Sequence, residues 1–169
     1  MEVYHGSNIE INQIDFNKYR PYKDFGKGFY LTTIKAQAEK MASRVARIYG
    51  GKPCVTIFDF DEAAITNREL NVRVFNEPNK EWAMFVINNR NSTFSPASDL
   101  ECNLDNKYDL VIGPIADDDL ALLFRQFSKG FIDVDTLVRA MKYKDLTNQY
   151  SFHTEKSLMY LKKVGAICE

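Results

Sequence analysis

Gly26-Lys27-Gly28-Phe29-Tyr30-Leu31-Thr32 is the stretch on which the fold turns. Two glycines around a lysine suggest a phosphate-binding turn, but in a parallel dinucleotide-binding sheet such a turn follows a strand and opens a helix. Here the glycines come before Phe29-Tyr30-Leu31-Thr32, an aromatic, β-prone run that reads as a strand itself. Working outward, Val3-Tyr4-His5 is a short strand ended by Gly6-Ser7-Asn8, and Arg20-Pro21-Tyr22-Lys23-Asp24 is turn-like. Downstream, Thr33 is placed to cap a helix over 34–49, with Ala38, Met41, Ala42 and Val45 on its apolar face, and Gly50-Gly51 ends it.

The rest of the chain mixes strands and helices without a regular β-α-β beat. Residues 53–60 form a near-continuous apolar run, the mark of an interior strand, and 80–90 reads as a helix anchored by Trp82. Residues 91–106 are polar and loop-like. Tyr108 to Ile112 is a buried strand ended by Gly113-Pro114. Helices are expected over 117–127 and 133–143, a strand over 149–152, and a last helix from Thr154 to Lys163 with Leu158 and Leu161 inward. The expected architecture is α+β: a split, mostly antiparallel sheet with helices around it, in one domain over residues 1–169.

Composition narrows the function. The chain has 169 residues, 45% of them hydrophobic, and a net charge of −1, so it is expected to be globular and lacks the overall basic excess of a dedicated nucleic-acid binder. No apolar run suits a membrane span, and the strand-like N-terminus leaves no room for a signal peptide. Cys54, Cys102 and Cys168 are scattered without metal-ligand spacing, and Cys54 reads as core packing; a reduced, cytoplasmic protein is expected. Asp117-Asp118-Asp119 is explained by helix capping and the macrodipole, so no metal is expected. His153 shows no evident catalytic partner, and no nucleophile elbow is present.

Tyr4-His5-Gly6-Ser7 followed by Gly26-Lys27-Gly28-Phe29-Tyr30-Leu31-Thr32 resembles the diphtheria-toxin-like ADP-ribosyltransferases. It is most similar to the poly(ADP-ribose) polymerases, whose first motifs read His-Gly-Ser/Thr and Gly-x-Gly-Ile-Tyr-Phe. Asn148-Gln149-Tyr150-Ser151-Phe152 stands where their catalytic strand carries Asn-Glu-Tyr, with Gln149 in place of Glu. The chain also looks like an uncharacterised bacterial family within that superfamily, through Asp24-Phe25-Gly26-Lys27-Gly28-Phe29-Tyr30 and Val111-Ile112-Gly113-Pro114-Ile115-Ala116-Asp117-Asp118. The resemblance implies an enzyme that uses NAD as co-substrate and moves ADP-ribose to a macromolecule, a protein first and nucleic acid as the alternative. It also implies a toxin role with an antitoxin partner.

On that resemblance His5, Tyr30 and Gln149 form the catalytic set, and His5, Gly6, Ser7, Arg20, Lys23, Phe25 and Tyr30 bind the cofactor. Gly6 allows close backbone approach, His5 meets the adenosine ribose, Ser7 the carboxamide, and Tyr30 offers a ring for the nicotinamide. Taken alone, His5 and Tyr30 equally suit core packing. Polymerases have a second aromatic where this chain has Met41; Met41 reads as helix core, which leaves Phe25 or Tyr22 to cover the other face of the nicotinamide. Arg20 and Lys23 are either pyrophosphate ligands or solvated loop charges. Gln149 can hydrogen-bond a ribose but carries no charge and cannot act as a base. Three alternatives follow: the acceptor is ionised already, another acid such as Asp24, Glu81 or Glu155 reaches the site, or the protein binds NAD or ADP-ribose without transfer. A relative of tRNA phosphotransferases is a third reading, which demands a basic groove.

Overall fold

The computed structural model describes residues 1–94, 100–142 and 146–169. Tyr143, the end of one expected helix, and residues 95–99 of the expected 91–106 loop lie outside the described residues.

The fold is α+β, built on a single seven-stranded, mostly antiparallel sheet. In chain order the strands are β1 (Glu2–Ser7), β2 (Phe29–Thr32), β3 (Cys54–Phe60), β4 (Val72–Val74), β5 (Leu110–Pro114), β6 (Asn148–Phe152) and β7 (Leu161–Cys168). They lie side by side as β4-β5-β6-β2-β1-β3-β7. The helices are α1 (Lys35–Tyr49), α2 (Lys80–Arg90), α3 (Asp118–Ser128), α4 (Val134–Met141) and the one-turn α5 (Glu155–Leu158). Among the described residues only β4 and β5 run parallel, joined by the crossover that contains α2, as a parallel pair requires.

Alternation along the strands feeds two cores. Val111 packs with Trp82, Phe85, Leu120, Phe124, Leu137 and Met141 beneath α2, α3 and α4, whereas Leu110 and Ile112 face Val3, Phe29, Phe58 and Phe152 on the other side. β5 is therefore buried on both faces, which is why its sequence is continuously apolar. Trp82 anchors α2 as expected: it is fully buried, and its indole N–H donates to the Pro114 carbonyl at 3.1 Å. A third, small cluster joins Ala38 and Ala42 of α1 to Tyr4 and Val55.

The sheet is thinnest in its middle. β1 meets β2 through the single pair Tyr4↔Thr32, although β1 is paired with β3 from Glu2↔Asp59 to Ser7↔Cys54, and β2 with β6 along its whole length. Beyond Tyr4 the first two strands part, and this is the split in the sheet.

Four expectations are corrected. The segment after Thr154 makes one helical turn and then β7, whose pairing with β3 from Cys54↔Cys168 to Phe60↔Leu161 outweighs the helix propensity of its Leu and Lys residues. That register sets Cys54 opposite Cys168, and the two form a disulfide across 114 residues instead of the free, reduced thiol expected of Cys54. The cap of α1 is Ile34, without a side-chain bond; Thr32 Oγ1 accepts from the Ile34 N–H in place of the expected Thr33. Finally, Met41 is 49% exposed and so is no part of the core. Among the described residues no helix is long and apolar enough to cross a membrane.

Candidate active site

The gap between β1 and β2 opens into a cleft of about 510 Å³, walled by α1, the 18–23 loop and the start of β6. His5, Gly6, Ser7, Arg20, Lys23, Tyr30 and Gln149 all line it. Of the proposed site residues, only Phe25 does not. It is fully buried, packed among Tyr30, Phe75 and Phe85, and cannot meet a ligand. Tyr22 is also outside the lining, whereas Met41 is in it.

His5 sits where the ladder between β1 and β2 stops. Its Nδ1–H donates to the Tyr30 carbonyl at 2.9 Å, since a carbonyl can only accept. That fixes the neutral tautomer and leaves Nε2 as an acceptor, suited to a ligand hydroxyl. Burial lowers the His5 pKa to about 4, against the pull of the Tyr30 bond and with help from the charge of Lys23, so the ring is neutral at pH 7.

Gly6 has a packing role that its sequence motif did not reveal. A Cβ there would lie 2.0 Å from the Ala38 carbonyl oxygen, so only glycine lets α1 close onto β1. The same closeness brings Met41, Arg44 and Val45 of α1 to the cleft wall. Gly28 plays the matching part in β2's approach, where a Cβ would meet the His153 ring and the Phe152 carbonyl at 2.7 Å. His153 is thus a buried strut. Its Nδ1–H donates to the Lys27 carbonyl at 2.8 Å, and its Nε2 accepts from Ser151 Oγ at 2.8 Å, a partner the sequence had not shown.

The hydroxyl of Tyr30 is fully engaged, donating to the Gly26 carbonyl at 2.7 Å and accepting from the Phe25 N–H at 3.0 Å. Burial, and then the charge of Asp24, hold its pKa above the ordinary value. Tyr30 therefore offers a ring and no proton. The Lys23 ammonium lies 5.4 Å from the centroid of that ring, so a stacked ligand must share or displace this contact. Lys23 keeps contact with solvent, yet the surrounding protein lowers its pKa, an effect that Asp24 opposes and Arg20 reinforces.

Charge distinguishes this cleft. Lys18, Arg20, Lys23 and Arg44 line it, and among the described residues no carboxylate does. Arg20 is set by Tyr49, whose hydroxyl accepts from its guanidinium at 2.9 Å. Arg44 is shared with a second hollow of about 520 Å³ along the outer face of α1, where Lys40 and Arg47 stand beside one carboxylate, Glu39. The near-neutral total charge concealed this local basic surface. Helical spacing from Met41 through Arg44 to Ile48 was the signal for it, but that face was assigned to the core.

Gln149 is 8% exposed and reaches the cleft from β6. Its Nε2 donates to Asp24 Oδ2 at 3.1 Å. Of the three acids considered as substitutes for a glutamate at this position, Asp24 alone is brought to Gln149. Glu81 is committed to Arg73, and Glu155 opens α5. Asp24 itself does not line the cleft. Among the described residues no cluster of ligating side chains could hold a metal ion; Asp117 caps α3 by accepting from the Leu120 N–H.

Residues 1–163 match the family described as "Protein of unknown function (DUF3990)". The chain belongs to that family. No curated protein and no solved structure matches it. As a DUF3990 protein it carries every lining residue of the cleft, from Tyr4 to Gln149, within the matched span.

Proposed function

We propose that this protein binds NAD in the β1–β2 cleft and transfers single ADP-ribose units from it to a macromolecule. The observation that carries the reading is convergence. His5, Tyr30 and Gln149, far apart in sequence, line one cleft whose charged side chains, among the described residues, are all cationic. A dinucleotide needs a hydroxyl acceptor, an aromatic face and neutralised phosphates, and this cleft supplies His5 Nε2, the Tyr30 ring and Arg20, Lys23 and Arg44. Cleavage of the nicotinamide–ribose bond develops positive charge on the ribose. Gln149 can meet it with a carbonyl dipole only, so the acceptor in this reading supplies its own ionised nucleophile.

A protein acceptor is proposed, with nucleic acid as the alternative that Lys40, Arg44 and Arg47 along α1 favour. A toxin role with a neutralising antitoxin, acting in the bacterial cytoplasm, belongs to the same reading. A second reading is an NAD or ADP-ribose binding module without transfer, and the lack of any carboxylate on the cleft wall among the described residues favours it.

Two measurements separate them. Calorimetric titration of the purified chain with NAD tests the step both readings share; no heat of binding at millimolar NAD overturns both. Labelled NAD incubated with the chain and cell lysate, followed by protease or nuclease, tests transfer. Label released by protease alone assigns a protein acceptor, and label released by nuclease alone assigns nucleic acid. Binding without label transfer leaves the sensor. Growth arrest on expression, relieved by Tyr30→Ala, supports the toxin role, and unaffected growth counts against it.

A further inference from the structure

The carboxylate of Asp24 is saturated with donors. Oδ1 accepts from Arg90 Nε at 2.9 Å and from a terminal nitrogen of the same guanidinium at 2.6 Å, while Oδ2 accepts from the Ala116 N–H at 3.3 Å and from Gln149 Nε2 at 3.1 Å. The Arg90–Asp24 pair is largely shielded from solvent and joins α2 to the loop before β2. An amide beside such a carboxylate has one favourable orientation, with nitrogen toward it and carbonyl oxygen away. Gln149 lines the cleft and Asp24 does not.

We infer that Asp24, held by Arg90, is a positioning residue that turns the Gln149 carbonyl oxygen into the cleft as an acceptor for a ligand hydroxyl. The inference rests on the dinucleotide-binding reading above and gives Gln149 a physical rationale. A glutamate at this position would set a second carboxylate against Asp24, and like charges at this distance resist joint ionisation. The glutamine keeps an acceptor oxygen toward the ligand while its other end satisfies Asp24. Arg90 and Lys23 are the cations that bear on this pair.

The test reverses the polarity of one hydrogen bond. In Gln149→Glu, NMR titration of the introduced carboxyl is expected to show a midpoint about one unit or more above the ordinary glutamate value of about 4.3. In Asp24→Asn/Gln149→Glu, where an amide now donates to a carboxylate, the midpoint returns to the ordinary range. NAD affinity at pH 8 is expected to fall about tenfold in Gln149→Glu and to recover to within about threefold of wild type in the double variant. Thermal melts of both variants confirm that the fold is retained, and Arg90→Lys, which keeps the cation but not the fork, gives an intermediate loss. An introduced carboxyl that titrates normally whether or not Asp24 is present overturns the clamp. A wild-type chain that binds no NAD overturns the ligand reading instead, and the titration midpoints still decide the clamp.

Discussion

The imidazole of His5 is bonded to the main-chain carbonyl of Tyr30, 2.9 Å away, at the point where the two strands cease to pair. One bond thereby bridges β1 and β2 at the mouth of the gap, selects the tautomer of the ring and leaves Nε2 as an acceptor. With its pKa lowered to about 4, the ring keeps that lone pair until strongly acid pH. NAD affinity measured by calorimetry is expected to stay flat from pH 8 to about 5 and fall below that. His5→Gln should weaken NAD binding about tenfold, since an amide holds the carbonyl less rigidly. A decline in wild-type affinity already centred near pH 6.5 would contradict the tautomer assignment.

Stability should also depend on pH through the chain's 2 histidines, because both have their pKa lowered by burial to about 4. Between about 6.5 and 4 the unfolded chain takes up protons that the folded one refuses. The stabilisation is complete above pH 6.5 and declines as pH falls toward 4, by about 1–3 kcal/mol per histidine. Thermal melts from pH 7.5 to 5 should show a falling Tm, and His153→Gln should flatten roughly half of the slope. A Tm independent of pH over that interval would remove both assignments.

Glycine at positions 6 and 28 is demanded by close approach. Gly6→Ala puts a methyl group 2.0 Å from a helix carbonyl, and Gly28→Ala sets one 2.7 Å from the His153 ring. Each should lose about 1–3 kcal/mol in denaturant titration, Gly6→Ala the more because its overlap with backbone is the closer of the two. Gly165→Ala, with open space around its Cβ position, is the control and should be near neutral.

Lys23 and Tyr30 offer a cleaner view of the ligand. If nicotinamide stacks on the Tyr30 ring, Lys23→Met removes the cation from over the ring but also a phosphate partner. The salt dependence of NAD binding should become shallower in this variant. Tyr30→Phe keeps the ring and loses two hydrogen bonds, costing about 1–2 kcal/mol of stability with little change in affinity. A large affinity loss in Tyr30→Phe at unchanged stability would assign the hydroxyl a direct ligand role.

The Cys54–Cys168 disulfide closes a span of 114 residues. In the chain-entropy account a crosslink of this span contributes about 5 kcal/mol, and such bonds typically deliver about 2–4 kcal/mol. Cys54→Ser/Cys168→Ser should therefore melt lower than the oxidised wild type by a matching amount, and as low as the wild type treated with a reductant. Equal melting temperatures in all three would show that the bond is not formed in solution.

The sequence carried most of this fold, but not the short β4 and not the C-terminal end. β1, β2, β3, β5 and β6 were legible because burial on one or both faces leaves alternation or an apolar run, and the caps Asp117 and Asp133 mark their helices. β7 was not, because Leu161-Lys162-Lys163 suits a helix until β3 is known to lie beside it, and the disulfide was lost with that strand. The site showed a similar division. His5, Tyr30 and Gln149 were found through motifs, whereas Arg44 and Met41 were hidden because a helix of this composition does not reveal which of two apolar-looking faces meets a cavity. Phe25 was misjudged because an aromatic in a loop looks available until the strands pack over it.

The lone pair of residues that joins β1 to β2 has a mechanical corollary. On one side of this seam lie β4, β5, β6 and β2, on the other β1, β3 and β7; an apolar core underlies both, but the backbone pairing across the seam is confined to Tyr4 and Thr32, helped by the His5 imidazole. Opening along it breaks fewer backbone bonds than opening anywhere else in the sheet. A guest lodged there would act as a stitch between the two halves, so that occupancy of the cleft and rigidity of the whole scaffold rise and fall together.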